Sequence, residues 1–231
     1  MNIKLYFTAF LMIISITFVS CSNQENPSTA IPPPSKIEVT AEKPVIFEDG
    51  MYSLSIPSSI GLLTYYNQTD VRWADSIYGG NDPISTYGCG PTVLSMLVSS
   101  FTNQSMTPDA MAVWAKENHY WASGSGSAHA LIPEGVTHFG FSVESFSDYS
   151  EQGIIHSLQN NYIFVALMGP GHFTSNGHFI ILADDWSGSS IRIADPNSLE
   201  NTQTPWEASL ILNELDHSAQ AGGPLWRISV K

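Results

Sequence analysis

Four side chains of this sequence have the types and the order that thiol chemistry requires: Gln68, Cys89, His178 and Asp195. A cysteine nucleophile needs a base to take its proton, and the base needs an acceptor that holds its tautomer. The oxyanion that develops next needs hydrogen-bond donors. Cys89, His178, Asp195 and Gln68 can fill those roles in turn, with the Cys89 backbone N–H as a second oxyanion donor.

Cys89 stands in Gly88-Cys89-Gly90-Pro91-Thr92, directly before an apolar helical pattern. Val93, Leu94, Leu97, Val98 and Phe101 share one face, while Ser95, Ser99 and Ser100 fall on the other. Pro91 suits a first helical turn, where its missing N–H costs nothing. Cys89 is therefore expected at or just before a helix N-terminus. The unpaired N–H groups and positive dipole end there favour an anion. Such a setting lowers a thiol pKa from ~8.5 into the range of roughly 3.5–7.5. Alone, a cysteine here would read as a structural cap of a core helix, and it is the other three residues that make it a nucleophile.

His178 opens the apolar run 178–183 just after Gly177, and Asp195 closes the next run, 190–195, just before Pro196. Hairpin pairing of those runs would set the two side by side. His172, in Gly171-His172-Phe173, is the rival base, but a glycine-rich turn would hold it less firmly. Asn197 is the alternative orienting residue. A His172–His178 metal pair has no Cys or acidic cluster at ligand spacing beside it, so neither metal nor cofactor is expected. Asp70 and Asp75 read as turn or surface carboxylates. Ser123-Gly124-Ser125-Gly126-Ser127 reads as a flexible loop, since no Lys or strand-to-helix context supports a phosphate cradle.

Positioning these residues takes helices and strands together. Thr107-Pro108-Asp109 carries a cap, a first-turn proline and an acidic residue, and opens a second helix to about Asn118. A third helix fits residues 151–160 and another lies near 206–214. Residues 162–168, 177–183, 190–195 and 225–230 read as strands, and 51–56 alternates. Helices first and strands second is an α+β layout. Tyr65, Tyr66, Trp73, Trp114, Tyr120 and Trp121 are read mostly as core, with some placed to line a cleft.

At 231 residues, with 43% apolar and 13% charged content, the chain is globular and sized for one good core. Its net charge of −13, from 21 acidic and 8 basic residues, argues against nucleic acid as a partner. Residues 1–20 read as an export signal: Lys4, an apolar run from Leu5 to Val19, then Ser20 and Cys21. That order resembles a bacterial lipoprotein signal, with Phe18 where Leu is usual, and implies a lipidated Cys21 as the mature N-terminus. Residues 21–44, with Pro32-Pro33-Pro34, read as a disordered tether, and 45–231 as the folded domain. The sequence has two cysteines, so a lipidated Cys21 leaves Cys89 without a disulfide partner.

Tyr66-Asn67-Gln68-Thr69-Asp70 with Trp73, Gly88-Cys89-Gly90-Pro91-Thr92, Gly177-His178-Phe179 and Asp195-Pro196 together resemble the papain-like cysteine peptidases, and among them the C39-like family. The resemblance spans residues 62–197, in the family's order of Gln, Cys, His and Asp. It implies a papain-like fold: an N-terminal helical subdomain carrying Cys89, packed on a C-terminal antiparallel β-subdomain carrying His178 and Asp195. It also implies thiol hydrolysis of peptide bonds. Better-known C39 relatives are domains of ABC exporters that cut leader peptides after a double glycine. No transporter segments are read in this chain, and leader processing is not the expected role. The expectation is an extracytoplasmic cysteine peptidase, membrane-tethered as a lipoprotein or else secreted, acting on a peptide or protein substrate; an ordinary cleaved signal peptide and an uncleaved anchor helix are the other readings of residues 1–20. The alternatives are a cell-wall peptide amidase or endopeptidase, and a non-catalytic binding module.

Overall fold

Short antiparallel hairpins come first in the chain. β1 (Val45–Ile46) pairs with β2 (Tyr52–Ser53), β3 (Ser55–Ser58) with β4 (Gly61–Thr64), and β5 (Ile77–Gly79) with β6 (Asp82–Pro83). One helical turn, α1 (Ile84–Tyr87), leads into α2 (Cys89–Phe101), and α3 (Pro108–Glu117) follows. Next come the hairpin of β7 (Trp121–Ala122) and β8 (Gly126–Ser127), then α4 (Leu131–His138), β9 (Ser142–Ser145) and α5 (Glu151–Gln159). β10 (Ile163–Met168), β11 (His178–Asp184) and β12 (Ser190–Ala194) precede α6 (Leu199–Gln203), β13 (Trp206–Glu207), α7 (Ala208–Asn213) and β14 (Leu225–Ser229). This computed structural model describes residues 45–46 and 52–231, with side chains from residue 54 onward. The expected signal, the tether and Cys21 lie outside the described residues.

The fold is mixed α/β around one six-stranded antiparallel sheet, in the order β13-β12-β11-β10-β14-β9. β10 and β11 are buried at every residue, which is why both read as unbroken apolar runs. Their side chains alternate between two cores. Ile163, Val165, Leu167, Phe179 and Ile181 join Val93, Leu94 and Leu97 of α2. Phe164, Ala166, Ile180 and Leu182 join Ile154 and Leu158 of α5 and Ile211 of α7. Helices thus cover both faces of the sheet.

Two local expectations are corrected. The sequence pattern sets Ser95, Ser99 and Ser100 on the face of α2 away from its apolar residues, yet Gly90–Val98 are all buried, Ser95 included. The Ser95 hydroxyl donates to Thr92 O at 2.8 Å, so its burial leaves no unmet hydrogen bond. Ser100 likewise donates to Met96 O and accepts from Thr64 N at 2.8 Å, which docks β4 on the helix. The segment 123–127, expected to be a flexible loop, closes the β7–β8 hairpin instead. The Asp82 carboxylate holds it, accepting from Trp121 Nε1 at 2.9 Å and Gly124 N at 2.7 Å. At α3, Thr107 takes the cap position with Pro108 first and Asp109 in the first turn, but its side chain makes no capping hydrogen bond.

Candidate active site

Cys89 is the first residue of α2, with Gly88 at the cap. Both neighbouring glycines are required by close packing. A Cβ on Gly88 would lie 2.5 Å from Ile84 O, and one on Gly90 would lie 2.6 Å from Ser127 Oγ and 2.9 Å from the Leu131 side chain. The chain is thereby pressed between α1 and the β7–β8 hairpin, with Cys89 half-buried at the helix N-terminus.

His178 begins β11, beside Met168 of β10, and Asp195 directly follows β12. The β11–β12 ladder, with Ile181 opposite Ala194, brings the start of one strand to the end of the other. His178 Nε2 lies 2.7 Å from Asp195 Oδ1, with the residues only 6% and 1% exposed. The other ring nitrogen is left for the Cys89 thiol, whose acidity His178 raises. Asp195 is itself held rigidly. Oδ1 also accepts from Asn197 N at 2.8 Å, Oδ2 accepts from Asn201 Nδ2 at 2.8 Å, and its backbone O accepts from Tyr65 at 2.8 Å.

Burial pushes the Cys89 thiol up. The hydrogen bond and charge of His178 and the backbone N–H groups of Phe179 and Gly90 outweigh it, and the thiol lies below its ordinary value. Burial alone would lower the His178 imidazole. Its hydrogen bonds to Asp195 and Cys89, with the charges of both, raise it well above its ordinary value instead. The two shifts run against the usual order of thiol and imidazole and favour the proton on the ring over the proton on the sulfur.

Gln68 is buried between the two halves of this arrangement. Its backbone N donates to Pro196 O at 2.7 Å, and its side-chain Nε2 donates to Ser85 O at 2.8 Å, four residues before Cys89. Ser85 O can only accept, which fixes the amide orientation and leaves the second Nε2–H free to point elsewhere. Gln68 Oε1 has no hydrogen-bond partner among the described residues. Neighbouring Asn67 supports the loop: its Nδ2 donates to the Tyr65 hydroxyl, its Oδ1 accepts from Thr69 N, and its backbone O accepts from Trp73 Nε1.

The alternative residues lie elsewhere or act differently. His172 is exposed, its Nδ1 and its backbone N–H both engaged by the Glu214 carboxylate. Asn197 gives Asp195 only its backbone N–H. Asp75 is exposed; Asp70 is a turn residue but fully buried, paired with Arg72 at 2.6 Å. Sequence reasoning read Tyr65 as core, where it lies, without foreseeing its hydrogen bond to Asp195, and assigned no role to Asn67 or Asn201. Asn67 stands beside Gln68 in a quoted motif, while nothing local in the sequence marks Asn201. A polarised thiolate beside a protonated, buried imidazolium can attack an electrophilic carbonyl and protonate what leaves.

A model of the Peptidase_C39 like family matches residues 63–217, which take in all four of these residues. The chain belongs to the Peptidase_C39 like family. No curated protein matches it. Among solved structures, the peptidase domain of Streptococcus ComA, a bi-functional ABC transporter involved in a quorum-sensing pathway, aligns at 16% identity. That alignment covers 63% of this chain and 93% of the ComA domain, with a TM-score of 0.46. The antiparallel sheet and the mixed α/β layout described above are consistent with a C39 peptidase-like fold.

Proposed function

We propose that this Peptidase_C39 like protein is a cysteine peptidase that hydrolyses peptide bonds outside the cytoplasmic membrane, tethered there through a lipidated Cys21. The observation that carries the chemistry is the 2.7 Å His178–Asp195 hydrogen bond beside Cys89 at the N-terminus of α2, with His178 lowering the thiol. The Cys89 thiolate attacks the scissile carbonyl carbon, and its electron pair forms the C–S bond as the C=O π pair moves to oxygen. The Cys89 backbone N–H, one of the four that a helix start leaves without an internal partner, and the second N–H of Gln68 Nε2 hold that oxyanion. The His178 imidazolium gives its proton to the leaving amine as the C–N bond breaks. Water then attacks the thioester, His178 takes its proton, and the thiolate departs. Asp195 keeps the ring in place and stabilises its charge throughout.

The test combines a thiol-directed activity label with two substrate sets, a peptide library and purified cell-wall fragments, on wild type and Cys89→Ala. Cleavage of library peptides that Cys89→Ala abolishes is the expected result. Cleavage confined to wall fragments would move the substrate to wall peptides. An unlabelled thiol with no turnover would leave a binding module.

A further inference from the structure

We propose that Tyr78 and Ser127 are a positioning pair for Cys89, their hydrogen bond holding the β7–β8 hairpin against the first turn of α2, on which the thiol stands. The inference rests on the reading of Cys89 as a thiolate nucleophile. Tyr78 has no exposed surface, and its hydroxyl lies 2.8 Å from Ser127 Oγ. Ser127 Oγ in turn sits 2.6 Å from where a Gly90 Cβ would stand, and Gly126 packs against Tyr87 O. The hairpin therefore runs flush along residues 87–90. Gly90 directly follows Cys89 in the first turn of α2.

The β5–β6 hairpin grips this hairpin along its length. Tyr78, Gly79 and Asp82 all belong to the β5–β6 hairpin. Tyr78 holds Ser127, Gly79 lies flat under the Trp121 ring, where an added Cβ would come within 2.3 Å, and Asp82 holds Trp121 Nε1 and Gly124 N. A phenylalanine would fill the site of Tyr78 without a hydroxyl to satisfy, so the buried O–H calls for a use. His178 and Tyr78 are the titratable groups that interact with Cys89. Burial keeps Tyr78 protonated, and the nearby Cys89 charge adds to that, so its O–H dipole is present wherever the thiolate is.

The pH dependence of Cys89 alkylation by iodoacetamide, read at that residue by peptide mapping of the full chain, tests the pair. Tyr78→Phe and Ser127→Ala should each slow alkylation at pH 6 by about three- to tenfold and shift its midpoint upward by about half to one pH unit. The double variant should be no slower than the slower single, because the two hydroxyls act as one unit. Unchanged rates in either single variant, or effects that multiply in the double, overturn the pairing while the fast wild-type thiol stands. A wild-type Cys89 no faster than a free model thiol overturns the nucleophile reading and this inference with it. Tyr78→Phe keeps the buried ring, and decides the matter alone if the double variant does not fold.

Discussion

At the scale of single residues, Asp195 carries the largest share of the geometry, because three donors converge on its carboxylate: His178 Nε2, Asn197 N and Asn201 Nδ2. Asp195→Asn keeps a carbonyl oxygen for the His178 ring, and its new amide meets Asn201, whose own amide can turn to accept. The ring stays oriented while its charge loses a carboxylate partner. Charged hydrogen bonds exceed neutral ones by about 1 kcal/mol, so Asp195→Asn should cost about fivefold in kcat/KM. His178→Ala removes the acid and base outright and should cost at least about 10²–10⁴-fold. His172→Ala, which only frees Glu214, should cost less than either. Steady-state kinetics on these three variants checks the ranking, and a histidine order reversed in favour of His172 would refute it. The pKa shifts fix the pH profile too. Thiolate is lost as pH falls through a thiol value below the ordinary ~8.5, and imidazolium is lost as pH rises through a value above the ordinary ~6.5. The rate should be a plateau between those limits, with both limbs belonging to the pair. In Asp195→Asn the alkaline limb should move down, since one cause that raises the imidazole is weakened. An alkaline limb that does not move in that variant would contradict the assignment.

Elements place these residues, and how far each could be read from sequence depends on whether local pattern or distant packing decides it. The Pro91-led helix, α3, α5 and the apolar strands β10 and β11 follow local signals, and so does the meeting of His178 with Asp195 at two strand ends. α4 was hidden: Pro133 and Gly135 look like turn punctuation, yet Gly135 is there because an added Cβ would come within 2.6 Å of Leu94 on α2. β9 was hidden for the opposite reason. It is a mostly exposed edge strand with no alternation, held to β14 by backbone pairing and by Arg227 on Glu144 at 2.6 Å. Tyr65, Asn201, Tyr78 and Ser127 act through contacts that only the folded chain creates. The same close packing gives a prediction at Gly90. Gly90→Ala must push Ser127 or Leu131 aside in a filled core, and overpacking of this kind costs about 1–3 kcal/mol. Urea denaturation should show that loss, with alkylation of Cys89 slowed in the folded protein. A Gly90→Ala variant as stable as wild type would mean that the hairpin yields freely.

At the scale of the whole molecule, the proposed peptidase activity requires that the folded domain be brought to its substrate. Among the described residues no helix is long and apolar enough to cross a membrane. The sequence before them carries Lys4, an apolar run, Ser20 and Cys21, then a polar stretch with three consecutive prolines. A lipid on Cys21 would supply membrane affinity by burying acyl chains, about 0.8 kcal/mol per CH2 group, without any spanning segment. Fully extended, residues 21–44 would reach at most roughly 80 Å from that anchor, enough to let the site sample substrates well clear of the bilayer. The mature chain is therefore expected to begin at a lipid-modified Cys21. Cys21→Ala should either release the protein from the membrane fraction or leave its precursor uncleaved, while alkylation of Cys89 proceeds as in wild type. Fractionation with N-terminal sequencing reads both outcomes. Unchanged membrane association together with a normally processed N-terminus would show that the anchor is something other than this cysteine.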